Sequence, residues 1–236
     1  MRQKFTFKQF IVPHIGKKLA FMLPAVFMMG FTLSVLIIIG WGTDPASFMN
    51  LNIAAATGLS LGNTQVIVYS IMLIFTLIFG AQMIGFGTLA NMIFIGYIAD
   101  FFCWVWEKSG FTAFMLQTSF PVKILFFALT LLVFVIVASI YINAQLGTAP
   151  YDALPSIICG GIRKVPFFII RILFDFSAIG IGLLAAWLGG KGIQGSVIGS
   201  VCMSVMLGPV ISVVSKPLAR VLNGEEDLEE KVSATE

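Results

Sequence analysis

Arg171 and Asp175 stand four residues apart in a run, Phe167 to Phe176, that is otherwise wholly apolar. On a helix that spacing sets guanidinium and carboxylate on one face, within reach of each other. A charged side chain inside a membrane span costs about 2.5–3.5 kcal/mol on insertion scales, so ionisable residues there face a bundle interior or a water-filled cavity. Two roles suit the pair. Arg171 is a counter-charge for an anionic solute, with Asp175 orienting the guanidinium or accepting a proton; or the two neutralise each other and lock the helix in place.

A second constellation is made of backbone. Gly42-Thr43-Asp44-Pro45 and Gly147-Thr148-Ala149-Pro150 lie 105 residues apart (147 minus 42), and each ends one long apolar run and precedes a short segment and another long run. Asp44 can cap a helix whose first position is Pro45, and Pro150 can open the equivalent helix with Asp152 in its first turn. Asp152 caps a backbone turn or serves as a gate. Discontinuous helices of transporters use such interruptions to set helix-end dipoles beside substrate. Gly42, Thr43, Asp44, Pro45, Gly147, Thr148, Pro150 and Asp152 are therefore the candidate gating and helix-break residues. With a shift of one residue, Gln65 and Tyr69 fall opposite Arg171 and Asp175 and would bring hydrogen-bond donors to the same cavity, completing a candidate substrate-binding set of Arg171, Asp175, Gln65 and Tyr69. Gln65 also reads as a wet interfacial residue, Asp100 as a vestibule or interfacial group, and Asn91 as a helix–helix hydrogen bond.

The elements that must hold these residues follow from composition. With 58% hydrophobic and 11% charged residues, and a mean hydropathy of +1.00, the chain exposes too little polar surface for a soluble globule. Its apolar runs are continuous and near the roughly 20 residues that a helix needs to cross a bilayer, twice the length of a barrel strand. Hydropathy predicts six spans over 19–40, 64–83, 86–106, 122–146, 165–188 and 193–215, with short helices over 44–58 and 149–161 that are interfacial or re-entrant. The first run is too long for a signal peptide. Pro24 and Pro209 should bend the first and last spans.

Three spans separate the two Gly-Thr-x-Pro copies, and three is odd. The second half must then sit upside down relative to the first, so the fold class is all-α integral membrane, a 3+3 inverted-topology repeat. The organisation predicted is a basic amphipathic arm over 1–18, repeat 1 over 19–106, a linker over 107–121, repeat 2 over 122–215 and a polar tail over 216–236. If the N-terminus is cytoplasmic, Arg2, Lys4, Lys8, Lys17, Lys18, Arg163, Lys164, Lys216, Arg220 and Lys231 lie inside, against Lys108, Lys123 and Lys191 outside. That bias predicts both termini inside, and Trp41, Trp104, Trp106 and Trp187 all fall at outer ends of spans.

The stretches Gly147-Thr-Ala-Pro-Tyr-Asp-Ala-Leu154 and Gly58-Leu-Ser-Leu-Gly-Asn-Thr-Gln65, the Arg171-x-x-x-Asp175 pair and Leu207-Gly208-Pro209 together resemble the YczE/YitT-like family of multi-pass bacterial membrane proteins. The resemblance covers nearly all of the chain after residue 20, and implies the fold more than a substrate. The first-half copy departs from it, with Ala46 and Ser47 after Pro45 where an aromatic residue is expected.

Enzyme chemistry finds little support: one histidine, no carboxylate pair spaced for acid–base work, no nucleophile motif and no phosphate-cradling loop. Cys103, Cys159 and Cys202 are isolated and read as packing residues, so neither metal nor other cofactor is expected. The reading is a small-solute secondary transporter of the bacterial inner membrane, its solute anionic. The alternatives are a non-transporting membrane accessory protein and a narrow channel. The lipid bilayer is the expected partner, nucleic acid is not, and a homodimer stays open.

Overall fold

The computed structural model describes residues 10, 12, 14–162 and 164–223, with side chains to residue 217. Most of the predicted basic arm and the acidic end of the tail lie outside the described residues. Among the described residues every regular element is helical: α1 Ile15–Ile39, α2 Pro45–Thr57, α3 Leu61–Phe79, a 3₁₀ turn Ala81–Met83, α4 Phe86–Lys108, α5 Phe111–Gln117, α6 Phe120–Asn143, α7 Pro150–Gly161, α8 Phe167–Gly189 and α9 Val197–Asn223. Six of them, α1, α3, α4, α6, α8 and α9 as far as Pro217, are long and apolar enough to cross a membrane.

Local chemistry sets the boundaries. Gly40, Gly58 and Gly190 end α1, α2 and α8 in the left-handed conformation that favours glycine. Asp44 accepts a hydrogen bond from the Ser47 N–H, and Ser60 one from that of Asn63, capping α2 and α3. Pro45 and Pro150 occupy first-turn positions, where no amide hydrogen is needed. The predicted second span overshoots: α3 stops at Phe79, and Gly80 leads into the 3₁₀ turn. The predicted linker is not plain coil, since α5 folds within it and buries Met115 beside Val35 and Ile39.

The packing repeats itself. α1 lies on α4 as α6 lies on α9; α3 on α4 as α8 on α9; α2 on α3 as α7 on α8. The three most extensive contacts between the halves are α1 with α6, α2 with α8, and α7 with α3; a smaller one joins α2 to α9. Exchange the halves and the first three map onto themselves, as two inverted copies related by a pseudo-two-fold axis require. Each short helix is thereby embraced by the opposite half.

The short helices do not lie flat on the bundle. A Cβ at Gly182 of α8 would sit 3.1 Å from the Met49 Cα of α2, and one at Gly189 2.6 Å from the Ala56 Cα. Seven residues separate the contacts on either helix, so α2 runs side by side with the second half of α8. α7 follows α3 likewise, with Tyr151 stacked on Tyr69 at 6.5 Å and Ile157 against Gly80. Both are half-helices shielded by protein, the condition under which a helix end is tolerated at membrane depth. Small residues let the backbones approach, as in other membrane bundles. The outer faces carry Leu173, Leu184, Leu188 and Ile198 at 53–77% exposure, the surface a lipid environment would cover. Of the cysteines, Cys103 and Cys159 are half-buried, while Cys202 is exposed rather than packed inside.

Candidate functional site

Both half-helices begin near the middle of the bundle, and the charged residues gather where they begin. Arg171 and Asp175 lie in the second and third turns of α8, one helical turn apart. Tyr151 and Asp152 stand in the first turn of α7, Asp44 caps α2, and Tyr69 projects from α3.

Arg171 holds two carboxylates. Its Nη1 donates to Asp152 Oδ1 at 2.6 Å and its Nε to Asp175 Oδ2 at 3.2 Å. The other Asp175 oxygen accepts a hydrogen bond from the Tyr151 hydroxyl at 2.7 Å. Tyr151 also lies under the guanidinium, 5.3 Å from ring centre to Cζ, a cation–π contact, and edges onto Phe174. Burial, then the neighbouring Asp175 charge, pushes the Tyr151 phenol well above its ordinary range, so it stays protonated and donates. Exposure falls inward: Asp152 is 40% exposed at its side chain, Arg171 30% and Asp175 3%. Asp175 is thus a fully engaged inner anchor, and the Arg171–Asp152 pair is the accessible edge.

Asp44 adds a third carboxylate. It is half-buried and close enough to Asp152 and Arg171 to feel both charges. Burial raises its pKa above the ordinary carboxylate value, and the Ser47 hydrogen bonds and Arg171 only partly oppose this. The cluster therefore gathers three carboxyl groups around one guanidinium. The two half-helix N-termini bring a partial positive charge, about half an elementary charge each, that softens the acidic excess without removing it.

The Gly-Thr breaks fasten the half-helices to the opposite repeat. At the second, the Gly87 N–H donates to Leu146 O at 2.7 Å, the Thr148 N–H to Met83 O at 2.8 Å, and the Thr88 hydroxyl to Thr148 O at 2.8 Å. The Tyr141 hydroxyl adds bonds to Gly87 O at 3.1 Å and Gly147 O at 3.4 Å. Gly147, with φ +104, leaves no room for a side chain: a Cβ would lie 2.4 Å from the Gly85 nitrogen. At the first break, Gly42 presses on Gly199 in the same manner, and the Thr43 N–H donates to the Ser200 hydroxyl at 3.4 Å.

The structure brings together Arg171, Asp175, Asp152, Asp44 and Tyr69. It does not bring Gln65. The Gln65 amide donates instead to Asn91 O at 2.9 Å and Met92 O at 3.5 Å, tying α3 to α4. Strict repeat spacing puts Val66, not Gln65, opposite Arg171, and one residue turns a helix by about 100°. Nor is Gln65 wet, being 3% exposed. Asp152 caps no turn with its side chain; its carboxylate is taken by Arg171. Asp100 is neither a vestibule nor a plain interfacial group, for its two oxygens accept the Leu61 and Gly62 N–H groups at 3.1 and 2.7 Å, capping α3 from a neighbouring helix. Pro45 and Pro150 act as helix starters. Tyr151, Thr88 and Tyr141 were missed. The signals available were an aromatic residue beside the Asp152 acid, the Gly87-Thr88 match to Gly199-Ser200, and a tyrosine six residues ahead of Gly147.

No curated protein and no solved structure matches the chain. A family model does match, over residues 16–216, and with it all six spans, both half-helices and every member of the acidic cluster. The chain belongs to that family, DUF6198, a family of unknown function.

Proposed function

We propose that this protein is a small-solute secondary transporter of the bacterial inner membrane, with both termini cytoplasmic, and that its solute site is the cluster where α2 and α7 begin. One observation carries the reading: the half-helices of two inverted repeats converge on Asp44, Asp152, Arg171 and Asp175. Inverted halves give one fold two similar energies, open to either side, around a shared site. The acidic excess changes the expected solute. Arg171 is already engaged with two carboxylates, so a cationic group, or a proton exchanged against it, suits the cluster better than an anion. A cation entering at the accessible edge would compete with Arg171 for Asp152 and draw Asp44 toward it. The positive-inside bias and the resemblance to YczE/YitT-like proteins support the orientation and the bacterial setting.

The accessory-protein reading draws on the same ion pairs, because a guanidinium satisfied by Asp152 and Asp175 is also a good helix lock. Thermal unfolding of purified protein in detergent separates the two. The probes are methylammonium, tetramethylammonium and guanidinium, set against acetate and formate. The transporter reading expects an ammonium or guanidinium ion to raise the midpoint of the wild type but not of Asp152→Asn. If no ion shifts the wild type while Asp152→Asn lowers the midpoint by itself, the pairs are a lock and the accessory reading takes first place.

A further inference from the structure

The two half-helices begin alike and end differently. Where they begin, α7 is the better held, through Thr88 and Tyr141. Beyond the first turns the order reverses. From Ser156 to Gly161 no residue of α7 is buried, and Ile158, Gly160 and Gly161 are exposed; over the matching stretch of α2, Leu51 to Ala56, Asn52 and Ala54 are buried and no residue is exposed.

Particular residues account for the reversal. Repeat spacing sets Asn52 against Ile157, Gly182 against Leu77 and Gly189 against Ile84. Asn52 pins the far half of α2: its amide donates to Gln194 O at 3.1 Å, and its Oδ1 accepts the Gln194 N–H at 2.8 Å. Gly182 and Gly189 let the α2 backbone close on α8. In α7, Ile157 offers only its apolar side chain, which lies against Gly80, and the Cys159 thiol reaches Val165 O only at 4.0 Å. Pro155 stands inside α7 where α2 has Asn50. Proline has no amide hydrogen to give the Tyr151 carbonyl, which makes a hinge one turn beyond Tyr151. A stretch with few buried contacts opens at a small fraction of the global free energy.

α7 runs from the acidic cluster to the loop before α8, and α8 returns to bring Arg171 back to the cluster. The part of α7 beyond Pro155 therefore stands between that loop and the accessible edge of the site, where Asp152 is 40% and Arg171 30% exposed. The 2.6 Å bond between those two residues ties α7 to α8 just ahead of the hinge. We infer that α7 beyond Pro155 is a flap over the site, that it swings while α2 stays in place, and that the Asp152–Arg171 pair is its latch. A cation that takes Asp152 from Arg171 releases the flap and so opens its own route on the side of the α7–α8 loop. That last step rests on the transporter reading; the flap and the latch do not.

The experiment is amide hydrogen–deuterium exchange of the purified full-length protein in detergent. Protection factors are read over residues 156–161 and 51–56 in wild type, Pro155→Ala and Asp152→Asn. Labelling of the native Cys159 by N-ethylmaleimide, in a Cys103→Ser/Cys202→Ser background, gives a second readout. In the wild type the α7 stretch exchanges at least about tenfold faster than the α2 stretch. Pro155→Ala, which restores an amide hydrogen at the hinge, slows it. Asp152→Asn speeds it, speeds the labelling of Cys159, and leaves 51–56 unchanged. Equal protection of the two stretches in the wild type overturns the flap, and so does α7 exchange that ignores Pro155→Ala. Exchange and labelling that ignore Asp152→Asn overturn the latch. Methylammonium added to the wild type tests the transporter reading separately: if Asp152→Asn frees the flap and methylammonium does not, the flap and latch stand and the cationic solute falls.

Discussion

The two halves share a backbone plan and divide the chemistry unequally. In the second half the short helix and the span after it supply Asp152, Arg171 and Asp175, joined by two ion pairs. Strict repeat spacing puts Ser47, Val66 and Ser70 at those places in the first half, which contributes Asp44 and Tyr69 from elsewhere. The breaks are unequal in the same direction. The second is closed by backbone bonds, Thr88 and Tyr141, while the first has one 3.4 Å bond, an orphaned Thr43 hydroxyl and a cavity. Duplication thus preserved what closes the fold, and divergence decided which half carries charge and which half yields.

That division is broken most severely at Arg171. Arg171→Ala leaves Asp175, 3% exposed, without its cation, and removing one partner of a buried pair costs about 3–5 kcal/mol. The 30% exposure of Arg171 places the expected loss near the lower end, about 3 kcal/mol. The first-half substitution Gln65→Ala removes only a helix-to-helix hydrogen bond, worth about 1 kcal/mol. Thermal midpoints in detergent should rank them accordingly, and Arg171→Ala/Asp175→Asn should recover part of the loss. Equal midpoints for the two single variants would erase the asymmetry.

The breaks offer the next largest effect. Gly147→Ala forces a Cβ to within 2.4 Å of Gly85 N and 2.7 Å of the Thr88 hydroxyl, in a corner with no slack. Gly42→Ala meets Gly199 at 2.7 Å beside a cavity of about 60 Å³. Both positions have positive φ, which alone costs a non-glycine residue about 1–2 kcal/mol. Gly147→Ala should lose about 1 kcal/mol beyond that, Gly42→Ala less, since the wall beside it can give. Folded yield and midpoint together test the order, and a reversed order would mean that the first break is the rigid one.

What could be read from the residues, and what could not, divides along sequence distance. The six spans and both half-helices were legible because apolar run length and the Gly-Pro punctuation are local properties. The inversion was legible because counting spans between Gly42 and Gly147 needs no coordinates. α5 was not, since seven residues in a linker give too little pattern. Asp152 reads as a turn cap or a gate, because nothing in the sequence says that α7 packs on α8 with that carboxylate facing Arg171. Gln65 was assigned to the wrong face for lack of a register, which packing of α3 on α4 decides. The anionic expectation for the solute rests on Arg171 and its neighbour Asp175; Asp44 and Asp152 lie 127 and 19 residues away from Arg171 in sequence (171 minus 44 and 171 minus 152), and only folding brings them near.

The smallest effect sharpens the comparison most. Asp44 corresponds to Ala149, so only the first half-helix has a cap that can titrate. Burial holds the Asp44 carboxyl above its ordinary value against the Ser47 hydrogen bonds, while Asp152 pushes it further up and Arg171 pulls it down. A raised pKa means that the folded protein holds the proton more tightly than the unfolded chain. Its contribution to stability is complete below the unfolded carboxylate value and is lost as pH rises through the folded one. Asp44→Asn keeps a good N-cap acceptor for Ser47 and carries no charge at any pH. Across that window the wild-type midpoint should therefore fall relative to Asp44→Asn, by a degree or two at most given the half-exposed side chain. Ala149→Asp should impose the same fall on the second half-helix. If wild type and Asp44→Asn trace parallel midpoints from acid to neutral pH, Asp44 is solvated like a surface cap, and burial at the start of α2 does not set its charge.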